Sequence, residues 1–240
     1  LSIRVSRPGV TVFPSDRHMW SAKPSAKQAV AAPPLLLRAM AELVPRSDLQ
    51  MAAGTAPFAF PQPRDPKAPT TGILATLRVI RPAPAERESE QIQVLAKVFT
   101  PEGKEVGSIA QDATLTLRPS DRDARFDVLT PLPMKPGRYS VRFSAHSVGL
   151  NRTGSVYTDV IIPDFAKDKL SLSGVVVTAD PPLAAAPPDA FAAIIPVVPT
   201  TRREFERGDR ATALVRIYQG GRQPAADVDG RFRKHGFVRH

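Results

Sequence analysis

The sequence predicts a mainly-β protein built around an immunoglobulin-like antiparallel β-sandwich, and two alternating segments show this most clearly. After the turn signal Pro136-Gly137, apolar residues occupy positions 139, 141 and 143, and polar residues lie between them. A second ladder of the same kind covers residues 156–162. A period of two places one face of a strand on a core and the other in water. The two segments therefore predict strands of a half-solvated antiparallel sheet.

The density of further strands predicts the sandwich itself. Additional short strands are expected at residues 73–80, 92–98, 106–109, 113–117 and 125–129. About seven strands in roughly 90 residues, with turn signals every 8–12 residues or so, are typical of an immunoglobulin-sized sandwich. We assign this complete β-sandwich domain to residues 70–165.

The segment before the sandwich is predicted to contain a strand pair and a short helix. Residues 1–20 alternate on both sides of Pro8-Gly9, as expected for the terminal strand pair of an upstream domain. Because the chain opens within this pattern, we expect a fragment whose beginning lies elsewhere. Residues 21–69 are expected to form a linker rich in Ala and Pro. Within it, apolar residues at helical spacing predict a helix over 35–45 that Pro45 ends.

The segment after the sandwich is predicted to be a partial second sandwich, residues 166–240, with a disordered tail. Residues 209–218 repeat the pattern of residues 90–99 without gaps, which suggests two related modules in tandem. The second copy lacks a counterpart of residues 122–165. A half-sandwich leaves apolar faces and strand edges exposed. We therefore expect the end of the chain to be truncated or altered and its last residues to be poorly ordered.

Composition excludes several classes of site. The 240 residues include 26 prolines, 14 glycines and no cysteine, so disulfides, thiolate metal sites and cysteine nucleophiles are absent. No apolar run approaches the ~20 residues that span a membrane. The net charge of +10 fits either an anionic partner, such as nucleic acid or lipid headgroups, or a solvated basic surface. Since the arginines are scattered through the chain, we favour the solvated surface.

Histidines and acidic residues do not form a recognisable metal site. The four histidines, His18, His146, His235 and His240, lack the spacing of zinc motifs, and His146 is expected at a loop or strand edge. Asp121 and Asp123 could hold a hard cation together with Asp112 or Asp127, but a solvated turn is the favoured interpretation because no glycine-bearing loop accompanies them. We predict no metal and no cofactor.

Catalytic motifs are also missing from the sequence. There is no Gly-x-Ser-x-Gly elbow, no Gly-x-Gly-x-x-Gly loop and no phosphate loop. Composition alone leaves a Ser-His-Asp arrangement open. We predict that the chain is not an enzyme and name no catalytic residue.

Two further groups of residues invite a functional interpretation. The densest basic cluster contains Arg202, Arg203, Arg207 and Arg210, interleaved with Glu204, Glu206 and Asp209. With Phe205 as its one aromatic, it predicts self-neutralising pairs on a loop rather than nucleic-acid binding. Tyr139 is either part of a binding surface or a core aromatic whose hydroxyl anchors a loop, as in a tyrosine corner. Its place after a Pro-Gly turn favours the second role.

An ordered set of motifs resembles a known bacterial family. The motifs lie at residues 3–12 (Ile-Arg-Val-Ser-Arg-Pro-Gly-Val-Thr-Val), 43–49, 135–141 and 154–165. The chain resembles the C-terminal β-sandwich region of von Willebrand factor type A-related proteins of the Acidobacteria type, from residue 1 to about 225. The Asp-x-Ser-x-Ser metal loop of the type A domain is absent, so the resemblance carries no metal site to this chain. It implies an extracytoplasmic accessory region, periplasmic, secreted or envelope-associated.

These observations together predict a non-catalytic role. We expect a structural or protein-interaction module with a protein partner, which binds through sheet edges or sandwich-end loops. The alternative is a module that binds carbohydrate or a surface polymer. That alternative requires an exposed aromatic platform, which one Trp and three Tyr supply poorly. The sequence specifies neither the partner nor the oligomeric state.

Overall fold

Twelve strands and one short helix make up the described part of the protein. The computed structural model describes residues 35–61, 69–205 and 207–220. The elements in chain order are α1 Leu35–Met40, β1 Gln50–Ala59, β2 Thr71–Arg81, β3 Glu88–Phe99, β4 Glu105–Leu117, β5 Ala124–Pro133, β6 Gly137–Ser147, β7 Arg152–Ile162, β8 Ser171–Leu172, β9 Val176–Asp180, β10 Ala184–Ala186, β11 Arg210–Leu214 and β12 Ile217–Tyr218.

The long strands form two four-stranded sheets. The first sheet has the order β1-β2-β5-β10 and the second β4-β3-β6-β7. All neighbouring pairs within them are antiparallel except β10 with β5, which is parallel. The predicted mainly-β sandwich is therefore confirmed. None of the helices in the described ranges is long and apolar enough to cross a membrane.

The core lies between the two sheets and is supplied by alternate residues of their strands. In β2, Ile73, Ala75, Leu77 and Val79 are at most 1% exposed and point into it. The facing strands contribute Ile92, Val94, Ala96, Val98, Val141, Phe143 and Ala145. The alternation that the sequence shows at residues 139–143 is thus the inward face of β6.

The described residues after residue 165 contribute a layer on the outer face of the first sheet. Phe191, Ile194 and Ile195 pack with Leu74 of β2 and Leu129 of β5 in a second apolar cluster. The short strands of this region form two two-stranded pairs, β9 with β11 and β8 with β12. The predicted partial second sandwich is therefore a layer on the first sandwich. Its strands β11 and β12 are short and occupy the segment that echoes β3, which is a twelve-residue strand with partners on both sides.

The short helix α1 covers part of the outer face of the second sheet. Arg142 of β6 lies between the rings of Phe99 and Tyr157, 5.6 and 4.7 Å from their centroids, and donates to the Met40 carbonyl at 3.1 Å. On the same face of β6, Ser144 is fully buried. The face predicted to be wet is therefore partly covered.

Strand β1 lies inside the segment predicted as a linker. Its ten residues pair with β2 along their whole length. Both of its faces are covered, since Met51 and Ala53 pack on the sandwich core while Ala56 and Phe58 pack in the outer cluster. A strand that is buried on both faces shows no polar alternation, and Ala, Gly and Pro have low strand propensity. For these two reasons the sequence pattern does not predict β1.

Two element boundaries also differ from the prediction. The helix ends at Met40 rather than at residue 45, because Arg142 and the Tyr157 hydroxyl donate to the Met40 carbonyl and replace the next helical turn. The strands predicted at 106–109 and 113–117 are one strand, β4, which continues through Ala110, Gln111 and Asp112. The predicted strand pair at 1–20, the linker residues 21–34 and the tail after residue 220 lie outside the described residues.

Candidate interaction surface

The edges of the two sheets are the places where this sandwich could pair with another strand. The edge strands are β1 and β10 in the first sheet and β4 and β7 in the second. An edge strand presents a row of backbone N–H and C=O groups, and natural proteins block such rows with proline, charge or a covering segment. The four edges differ in how much of this protection they have.

The outer edge of β1 is blocked by a proline and by the C-terminal layer. Phe60 donates its N–H to Thr70 on the β2 side, so the odd-numbered residues of β1 direct their backbone groups outward. Pro57 lies at one of these outward positions and has no N–H, and its carbonyl accepts from Gly174 at 2.7 Å. Ala59 donates to the Tyr218 hydroxyl at 3.2 Å.

The opposite edge of the first sheet is also blocked. Strand β10 covers β5 at residues 126–128. Beyond that point, the outward-directed Leu129 carbonyl accepts from the Gln111 side chain at 3.3 Å. The next outward positions are Pro131 and Pro133, which have no N–H to offer.

The edge of β7 is joined to the segment before β1. Ser155 donates its N–H to the Arg46 carbonyl at 2.9 Å, and Ser47 forms a bridge with Gly154. Gly154 permits this approach, because a Cβ at that position would overlap the Leu49 carbonyl oxygen. Farther along, β7 faces β1 across a groove whose lining includes Asp159.

Among the described residues, the edge of β4 carries no proline and pairs with no further strand, and Asp112 is its one charged residue. Val148 donates to the Gln91 carbonyl, so odd-numbered β3 residues bond to β6 and even-numbered ones to β4. Ile92 is paired with Ala113, which fixes the odd-numbered β4 residues as the ones bonded to β3. The backbone groups of Ser108, Ala110, Asp112, Thr114 and Thr116 therefore point away from the sheet, and we call this row the β4 edge.

The side chains of the β4 edge suit strand pairing. All five are exposed, and all are small or β-branched except Asp112. Asp112 is the one charged residue between Val106 and Thr116, in a chain of which 23% is charged. The side chains that alternate with them point towards the core, and Ala113, Leu115 and Leu117 are buried. The strand is therefore anchored by the side chains that point into the core, while its outward backbone groups pair with no strand among the described residues.

Buried charges elsewhere are bound to one another. Arg78 and Asp127, on the outer face of the first sheet, form an ion pair at 3.4 Å with exposed side-chain fractions of 9% and 1%. The hydroxyls of Thr200 and Thr201 donate to the same carboxylate at 2.6 and 3.1 Å. These contacts tie the C-terminal layer to the sheet.

A second buried network lies at the Arg81 end of β2. The Arg81 guanidinium contacts the carboxylates of Glu88 and Glu90, and Glu90 is fully buried. Ser147 donates to Glu90 at 2.8 Å and joins β6 to the network. The network joins β2, β3 and β6 across the two sheets, which is a structural role.

The residues considered as metal ligands do not converge. Asp121 and Asp123 are exposed, as expected for a solvated turn, whereas Asp127 is buried in its ion pair with Arg78. No group of three or more His, Asp or Glu side chains able to hold a metal occurs in the part of the chain that the structure describes. His146 lies within β6 rather than in a loop, with Nδ1 2.9 Å from the Thr153 hydroxyl. His18, His235 and His240 lie outside the described residues.

The basic cluster is neutralised in part, as predicted. Arg202 forms an ion pair with Asp209, and its guanidinium lies 5.2 Å from the centre of the Phe205 ring. Arg203 donates to the carbonyls of Thr200 and Arg202 at 3.3 and 2.9 Å. These contacts direct part of the cluster's charge and hydrogen bonding to groups within the fold.

The aromatic residues in the described part of the chain do not form an exposed platform. Phe58, Phe126, Phe143 and Phe191 are at most 2% exposed. Phe205, at 37%, is the one described aromatic among the exposed large hydrophobic residues. Tyr139 donates its hydroxyl to the Lys135 carbonyl at 3.0 Å, four residues upstream, so the predicted loop-anchoring role is confirmed. Burial raises the pKa of Tyr139 above its ordinary value of 10.0.

Comparisons with known proteins add little to this picture. No protein-family model matches the chain, and no curated protein matches it. Among solved structures, the chain is similar to the ApaA protein from Bordetella pertussis at 13% identity, over 50% of this chain and 99% of that one, with a TM-score of 0.29. A likeness at that level supports no statement about function.

Proposed function

We propose that the chain is a non-catalytic protein-interaction module that binds an extended strand of a partner protein at the β4 edge. The observation that carries this proposal is the contrast between edges. Among the described residues, both edges of the first sheet carry prolines or covering segments at their outward positions, whereas the β4 edge carries neither. Strand addition uses such a free row of backbone groups for affinity.

A structural role for the buried polar groups supports the non-catalytic part of the proposal. Catalytic sites hold ionisable groups in a cleft, poised for substrate. Here the buried carboxylates Asp127 and Glu90 are each bound by an arginine and by hydroxyl groups within the fold. They join layers of the sandwich.

The distribution of aromatic residues favours a protein partner over carbohydrate. Sugar recognition by a sandwich requires exposed aromatic rings on one face. In the described part of the chain the phenylalanines are largely internal, and Phe205 lies beneath the guanidinium of Arg202. The location we propose is extracytoplasmic, in a secreted or envelope-associated bacterial protein, which rests on the resemblance to the von Willebrand factor type A-related proteins.

A peptide-display experiment tests the proposed function. A library of random peptides of about ten residues, the upper end of common strand lengths, is selected on the purified chain. We expect selected peptides to bind the chain and to bind an Ala110→Pro variant at least about tenfold more weakly, because proline removes an outward N–H without touching the β3 ladder. Ile161→Pro, at an outward position of β7, is the matched control and should leave binding unchanged.

Two outcomes would contradict the proposal. In the first, the library yields no peptide that binds although the chain is monomeric under the conditions of the selection. In the second, the peptides bind the Ala110→Pro variant as tightly as the unmodified chain. Selection of glycans from a glycan array in place of peptides would support the carbohydrate alternative. Circular dichroism of both proline variants establishes that each remains folded.

A further inference from the structure

We infer that the strand bound at the β4 edge is β4 of a second copy of this chain, so that two sandwiches form a dimer with one continuous eight-stranded sheet. This inference rests on the proposed function, because it names the partner of the same edge. It follows from the phase of the backbone groups, the side chains along the strand and the sparse charge of the edge.

The backbone phase permits pairing of β4 with itself. Two identical antiparallel strands are related by a two-fold axis, and each outward residue must face another outward residue. Because the outward residues of β4 are all even-numbered, a two-fold axis at Ala110 satisfies this rule. It pairs Ala110 with its own copy and Ser108 with Asp112 of the second copy. Within the β4 edge, three residue pairs (108 with 112, 110 with 110, and 112 with 108) then share about six backbone hydrogen bonds.

The side chains are complementary in the same register. Ala110, the smallest outward residue, lies on the axis where a large side chain would meet its copy. Asp112 of each copy faces Ser108 of the other, whose hydroxyl can donate to the carboxylate. The two-fold symmetry gives two such contacts. A register shifted so that Asp112 faces Asp112 would oppose two carboxylates and is disfavoured.

The electrostatics of the edge also favour a second copy. The chain carries a net charge of +10, which keeps most of its surface apart from another copy. Between Val106 and Thr116 the one charge is the negative Asp112. The β4 edge is therefore a stretch where the general repulsion between copies is locally absent.

Cysteine crosslinking tests the register directly, because the chain has no cysteine of its own. In the proposed dimer the two copies of residue 110 face each other at about 5.5 Å between Cα atoms, within the range of a disulfide. We expect Ala110→Cys to form a disulfide-linked dimer under mild oxidation. Ser108→Cys is the matched control, since its two copies lie about 13 Å apart along the strands and should not crosslink.

Sedimentation over a concentration series tests the dimer without crosslinking. We expect the unmodified chain to form dimers, and Ser108→Asp to raise the dissociation constant at least about tenfold, because it places a carboxylate opposite Asp112 at two points. Ala110→Pro should give a folded monomer, and Ile161→Pro should leave the dimer intact.

The failure of this inference differs from failure of the proposed function. A chain that stays monomeric at all concentrations, or a dimer that persists in Ala110→Pro, overturns the self-pairing. Equal crosslinking of Ala110→Cys and Ser108→Cys overturns the register and with it the axis at Ala110. If displayed peptides still bind at β4 of a monomeric chain, the edge binds a different protein and the proposed function stands.

Discussion

The ion pair between Arg78 and Asp127 is the contact whose loss should most weaken the attachment of the C-terminal layer. The variant Asp127→Asn removes the charge and keeps the shape of the side chain. At 3.4 Å and an effective dielectric constant of about 20, the attraction is about 5 kcal/mol. The variant leaves Arg78 buried without its counter-charge, for which a cost of about 3–5 kcal/mol is typical. That cost is a large part of the ~5–15 kcal/mol that stabilises a domain.

Urea unfolding followed by circular dichroism measures this cost. Thr201→Val is the control in the same network, since it removes one hydrogen bond of 3.1 Å and should cost only about 0.5–1.5 kcal/mol. Replacing both charges, with Arg78→Met and Asp127→Leu together, should recover most of the loss because no charge is left unpaired. A loss below about 1 kcal/mol for Asp127→Asn alone would refute the view that this pair is buried and holds the layer in place.

Three further substitutions have defined expectations. Tyr139→Phe removes the hydrogen bond to the Lys135 carbonyl. Because burial raises the pKa of Tyr139 above 10.0, the unmodified chain should lose stability as the pH rises through that raised value, and the variant should lose less. Urea midpoints measured at pH 8 and at about pH 11 for both proteins would show this difference. Gly154→Ala forces the Leu49 carbonyl aside and should lower the free energy of unfolding by about 1–3 kcal/mol in the same assay. Gly103→Ala is the control, since no atom lies near that position and only its positive φ is unfavourable. Phe191→Ala, in the outer cluster, should cost about 3–5 kcal/mol, and a loss under 1 kcal/mol would contradict the packing described.

Much of the sandwich could be predicted because its strands have one buried and one exposed face. Residues 137–147 and 152–162 alternate in sequence as they alternate in burial, and they form β6 and β7. The loop-anchoring role of Tyr139 followed from its place after a Pro-Gly turn. In these segments local pattern and tertiary environment agree, which is the condition under which sequence reasoning works.

Strand β1 and the C-terminal layer could not be predicted because they are fixed by long-range contacts. Strand β1 has no polar alternation, since Phe58 packs outward and Met51 packs inward. Asp127 lies in a predicted strand and was considered only as a possible cation ligand, whereas Thr200 and Thr201, more than seventy positions away, make it a buried partner of Arg78. The similarity between residues 90–99 and 209–218 reflects only the alternation of a strand, because the first segment lies in β3 of a four-stranded sheet and the second in the short strands β11 and β12.

The candidate surface was missed for a related reason. A proline protects a sheet edge only where the backbone of its residue points away from the sheet. That direction, for Pro57, Pro131 and Pro133, is known only from the pairing of their strands. The sequence signal that was available is the absence of proline and the single charge between residues 106 and 116. That signal marks an open edge once β4 is read as a single strand at the end of its sheet.

Amide hydrogen exchange along β4, at a concentration below that of self-association, tests the central claim most directly. The β4 edge predicts a period of two: the N–H groups of Ser108, Ala110, Asp112 and Thr114 should exchange close to their intrinsic rates, while those of the intervening residues bonded to β3 should be protected. When the concentration is raised, the N–H groups of Ser108, Ala110 and Asp112 should become protected, whereas the slow set should change little. Uniform protection along β4 in the monomer would contradict the claim, because the outward row would then already be paired.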